Sequence, residues 1–239
     1  MTDILDNHSS WWPLYCDALA LFWSNEEGSS LRSLALQAFN EGHPALLGLL
    51  LVCFAISTGE LQRYLPPVER SILPDDDYAA TEYGFNLQMA MGLCYMGSLQ
   101  PRRAWTIYRR ANSLLQLHGL HQKRRSQKQD HVFWQLFHAD RWVSLIIGLP
   151  YMMPEHFCDV TIPPKEEMPT HNWLYRNYAL ITGRLIDSLH SVKGPSLSAT
   201  MAVDEELSSL IPQLPEGFLN LVSVFPSSGF QIVDTCRSL

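Results

Sequence analysis

Asp140 and Arg141 stand side by side in FWQLFHADRWVSLIIGLPYMMPEHFCDVTIPP, residues 133–164, a stretch that is greasy up to its Gly-Leu-Pro stop. On a helix, the positions three and four away from Asp140 hold Leu136, Phe137, Val143 and Ser144, so a largely apolar face surrounds the carboxylate. Such a group could act as an acid or base, or it could lock helices together. Both uses need a partner, because an unpaired charge among apolar side chains is very costly. Arg109 or Arg110, on the preceding predicted helix, could supply it. The structural use is the expectation here: an ion pair drawn from Asp140, Arg141, Arg109 and Arg110 that fixes how two helices meet.

The other chemically able residues are less well placed. Asp75, Asp76 and Asp77 could bind Mg²⁺, but carboxylates facing one ion should recur one helical turn later, and Ala79 and Ala80 stand there. Helix capping suits the run better. His118, His121, His131, His138, His156 and Cys158 lack the close pair spacing that zinc requires. No serine sits in a nucleophile elbow, no cysteine carries a catalytic signature, and no glycine-rich phosphate loop occurs. Catalytic, metal-binding and DNA-binding residues are therefore expected to be absent. Arg102, Arg103, Arg109, Arg110, Lys123, Arg124, Arg125 and Lys128 gather eight of the 17 Lys and Arg residues. Within that cluster, Lys123, Arg124, Arg125 and Lys128 form a candidate nuclear-import patch, the alternative being a solvated loop.

Composition sets the frame for these residues. With 239 residues, 46% hydrophobic and 17% charged, the chain can bury a sizeable core. A net charge of -7 argues against holding DNA by charge alone. The five cysteines are scattered singly, which fits reduced thiols. The greasiest stretch, residues 45–56, is well short of the ~20 residues a bilayer span needs. No signal segment is read at the start.

Apolar spacing of three and four predicts helices over residues 11–23, 31–39, 45–58, 78–96, 101–118, from about 130 to the Gly-Leu-Pro stop, 172–192 and 204–211. Pro66-Pro67 and Pro74 are expected to frame a loop, with the aspartate run capping the 78–96 helix. That helix and the next are expected to pair as an antiparallel hairpin. The reading is all-α: an irregular bundle of stacked antiparallel helices forming one domain over 1–239, with an irregular tail at 220–239.

The order of certain fragments resembles the fungal-specific transcription-factor domain, the helical middle region of zinc binuclear cluster regulators. Ala104-Trp105, Ala111 and Gly119-Leu120-His121 are similar to one family helix. Phe133-Trp134, Asp140-Arg141, Ser144 and Gly148-Leu149-Pro150 are similar to the next, and Asp159-Val160 with Ile162-Pro163 to its exit. The resemblance covers residues 46–219 and is clearest from 104 to 164. His118, Leu149, Phe157 and Asp130-His131 depart from the family pattern. The six-cysteine zinc cluster that reads DNA in full-length relatives is missing, and so are helices that ordinarily follow.

The resemblance implies a shortened, transcription-regulator-like protein, active in the nucleus, that controls a metabolic or secondary-metabolite gene set. It would be no enzyme and would need no cofactor, zinc being expected only where the cluster is present. It would work through other regulatory proteins, a full-length relative or a second copy, without sequence-specific DNA binding and without a membrane. Missing helices would leave apolar surface uncovered. The rival reading is a helical enzyme or small-ligand carrier with an apolar cavity under Trp105, Trp134 and Trp142. A truncated gene product with no action of its own is a third.

Overall fold

The computed structural model describes residues 30–122, 125–216 and 218. Among them every regular element is helical: α1 (Leu31–Glu41), α2 (Pro44–Thr58), α3 (Leu61–Ser71), α4 (Asp76–Ala79), α5 (Glu82–Gly97), α6 (Pro101–Leu117), α7 (Gln127–Ile147), α8 (Thr170–Leu189) and α9 (Leu197–Leu210). The chain is all-α, as its periodicity predicts. The expected helix at 11–23 and the expected irregular tail lie outside the described residues.

Local signals explain most boundaries. Ser30 and Ser33 bond each other's backbone amides at the start of α1, and Gly42 ends it in the left-handed region at φ 64°. Pro44 occupies the first turn of α2, where a missing N–H costs nothing. Ser126 and Gln129 form the same reciprocal cap on α7, so this helix starts slightly before residue 130, and Gly148 stops it at φ 70°.

Two expectations are corrected. Pro66 and Pro67 lie inside α3 and do not open a loop. The carbonyls they leave unbonded belong to Gln62 and Arg63, both exposed, while Leu65 and Val68 bury completely against the core. Packing of one apolar face therefore outweighs the two lost hydrogen bonds. Asp75 does cap a helix, accepting from the Asp77 amide at 2.9 Å, but that helix is the four-residue α4. The long helix behind it begins at Glu82, where Thr81 accepts from the Gly84 amide at 3.0 Å. The last helix is likewise longer than expected, starting at Leu197 behind the Ser196 cap.

The predicted hairpin forms: α5 packs on α6, α6 on α7, and α2 on α5. Close approach within it depends on Gly92, whose added Cβ would lie 2.2 Å from the Tyr108 ring. α2 and α5 are apolar nearly all round and lie at the centre of the main core, which runs from Leu31 to Ala179. A smaller core of Trp173, Ile181, Val203 and Leu210 joins α8 to α9, and Ile162 packs against both cores. α7 lies between α6 and α8 and is the element through which the two halves meet.

Candidate functional site

α7 presents its ionic residues to both neighbours. Asp140 is fully buried, and the Met152 amide donates to its Oδ2 at 2.6 Å. Arg109 Nε of α6 stands 3.5 Å from Oδ1, a charge contact and not a hydrogen bond. Arg109 also donates to the Pro150 carbonyl and lies over the Trp105 ring at 4.5 Å. One carboxylate thus ties α7, α6 and the chain leaving the Gly148 stop. Burial pushes the Asp140 carboxyl above its ordinary range, opposed by the Met152 amide, then by Arg109 and Arg141. Arg110, the alternative partner, points elsewhere and pairs with Asp76 at 2.7 Å on the surface.

Arg141 is just as buried and faces the other way. It donates to the Met153 carbonyl at 2.9 Å and to the Phe137 carbonyl at 3.4 Å. Its guanidinium lies over the rings of Phe137 at 3.4 Å and Tyr151 at 4.3 Å. Glu155 lies 4.0 Å away. Burial lowers the Arg141 pKa, with Tyr151, Glu155 and Asp140 acting in the other direction. Gly183 of α8 gives the guanidinium its room, since an added Cβ there would come within 2.8 Å of Arg141 Nε. Glu155 continues outward to Arg184 of α8 at 3.9 Å, and Arg184 meets Glu206 of α9 at 2.6 Å. Asp140 and Arg141 therefore do not chiefly pair with each other. They brace α7 in two directions.

A second clasp sits at the first turns of α7. Asp130 accepts from Arg125 at 3.0 Å and from Arg176 of α8 at 2.7 Å. Arg125 also donates to the carbonyls of Gln122 at 3.0 Å and Asp159 at 2.7 Å, and lies over Phe133. Its side chain is only 6% exposed, so this arginine is withdrawn from any surface patch. Lys128 is open and 3.6 Å from Glu82, whereas Lys123 and Arg124 fall outside the described residues.

Known protein families, curated proteins and solved structures were all compared with the chain, and none gives a significant match. Among the described residues no three His, Cys, Asp or Glu side chains are grouped to hold a metal ion, and no helix is long and apolar enough to cross a membrane.

The space beside Trp134 is small. Trp134 packs edge-on against Phe133 and Phe137 under Arg176, and the cavity beside it measures about 10 Å³, room for one water at most. Trp105 donates to Ser144 Oγ at 3.3 Å. A larger hollow of about 470 Å³ is an open surface groove lined by Gln122 and residues 156–161, and it touches none of the three tryptophans. Burial raises the Cys158 thiol that lines it, which opposes thiolate chemistry.

Sequence reading named Asp140, Arg141 and Arg109 but missed Glu155, Gly183 and the Asp130 clasp. Gly183 had a signal: a lone glycine inside a helical pattern marks close approach of another group. Glu155 and Arg176 had none, because charged residues at helix edges are ordinary.

Proposed function

We propose that this chain is a regulatory scaffold of the fungal zinc-cluster transcription-factor type, acting in the nucleus through protein partners and reading no DNA itself. A metabolic or secondary-metabolite gene set is the setting the resemblance implies. One observation carries the reading: the residues that bring the resemblance are those that set the packing of α6 and α7. Ala104 and Ala111 bury on α6, Phe133, Trp134, Asp140, Arg141 and Ser144 bury on α7, and Gly119 and Gly148 adopt left-handed conformations at helix ends. Asp140 faces a backbone amide and an arginine, with no open cleft before it, which suits a brace and not an acid or base.

Tethering the full chain to a heterologous DNA-binding domain tests the proposal. Reporter transcription is expected to change, whereas the untethered purified protein gives no specific gel shift at physiological salt. An unchanged reporter from a protein that is folded and nuclear, or a nanomolar sequence-specific shift, would overturn it.

A further inference from the structure

Trp134 is 2% exposed, and its indole Nε1 is sealed from solvent with no hydrogen-bond partner among the described residues. A buried donor left unmet forfeits its hydration without recompense, so this N–H calls for an acceptor. Three of its neighbours supply none. Phe133 and Phe137 meet the indole edge-on, and the Arg176 guanidinium over it at 4.9 Å carries donors only.

The cavity of about 10 Å³ lies against the same ring, in the seam where α7 packs on α8. α7 contributes His131, Trp134 and Gln135 to its wall, and α8 contributes Asn172, Tyr175 and Arg176. Each set is spaced three and four along its helix, so two facing stripes enclose the space. All six side chains bear a hydrogen-bonding group, and the amides of Gln135 and Asn172 each offer an oxygen as well as donors. A hole with apolar walls stays dry, whereas a polar one with room on the order of 10–15 Å³ takes up a water that finds roughly two to four partners.

We propose that one resident water occupies this cavity, accepts from Trp134 Nε1 and donates to the amide oxygens of Gln135 and Asn172. The water then joins α7 to α8 by hydrogen bonds that neither helix can make directly. It also explains how a tryptophan can place its N–H in the interior at little cost. The inference stands apart from the functional reading, since it concerns only the seam between two helices.

Water-selective NOE and ROE spectra of the full-length protein test it, with the Trp134 indole signal among the seven tryptophans assigned through bonds. That N–H is expected to show a cross-peak at the water frequency with opposite signs in the two spectra, the mark of a water that tumbles with the protein. Tyr175→Phe should keep the cross-peak, because its source is the water and not the nearby hydroxyl. Asn172→Leu, which removes one acceptor and fills the space, should abolish it while the amide signals of α7 and α8 stay dispersed. Absence of the cross-peak in the wild type, with the indole proton shifted upfield, would place the N–H on a phenyl ring and overturn the proposal. Loss of the cross-peak in Tyr175→Phe, or its survival in Asn172→Leu, would overturn it equally.

Discussion

The two ends of α7 use the same residue types at different depths. Asp130, near the amino end, is partly exposed and shared by two arginines, one from the preceding loop and one from α8. Asp140, ten residues on, is sealed from water and leans on one amide and one arginine contact. The outer carboxylate keeps part of its hydration and gains several donors. The inner one has lost its hydration and depends on partners that cannot be replaced by solvent. Depth, more than the number of contacts, decides what each is worth to the fold.

That contrast orders the expected effects. Asp140→Ala leaves the Met152 amide and Arg109 facing a void, and should cost about 3–5 kcal/mol in denaturant unfolding, enough to unfold a marginal protein. Equal sensitivity at Asp130 would break the comparison. Asp130→Ala is expected to cost about 1–3 kcal/mol, the penalty for leaving the largely buried Arg125 and Arg176 underpartnered. Arg110→Ala removes a surface pair with Asp76 and should change stability by less than about 1 kcal/mol, an effect that fades with added salt.

A fourth expected effect is one of pH. His138 stacks on Tyr175 with ring centroids 3.9 Å apart, and desolvation, helped by Arg141, pushes its pKa down to about 3. Its neutral form is the folded form. Stability from this group is therefore complete above the ordinary histidine value near 6.5 and is lost as pH falls from there towards 3. The ring is partly exposed, so the slope should be less than the about 1.4 kcal/mol per pH unit of a sealed group. Asp140 and Glu155, both raised chiefly by burial, act with the opposite sign: their cost to stability is relieved as pH falls through their raised values towards the ordinary carboxylate range. Subtracting the stability–pH profile of His138→Phe from that of the wild type isolates the histidine. A flat difference between pH 6.5 and 4 would contradict its placement.

How much of this was legible in the sequence depended on how local the cause was. Gly148, Pro44, Gly42 and the apolar spacing act within one turn, and they marked the helix ends and the α5–α6 hairpin correctly. Asp140 was legible because its helical neighbours are all but one apolar, which forces a partner. Pro66-Pro67 misled because the burial of Leu65 and Val68, a tertiary effect, outweighs a local penalty. Asp75 misled because a capping residue announces a helix but not its length, and Thr81 starts the long one. Gly183, Glu155 and Arg176 come from other parts of the chain, so only the folded arrangement brings them to α7.

A double-mutant cycle between Arg109 and Asp140 addresses the brace most directly. Arg109→Met, Asp140→Asn and the combined variant would be compared with wild type by chemical denaturation. If the carboxylate locks α6 to α7, the two substitutions should be non-additive by about 1–2 kcal/mol. Additivity within about 0.5 kcal/mol would show that the two side chains do not support each other, and the bracing role would fall.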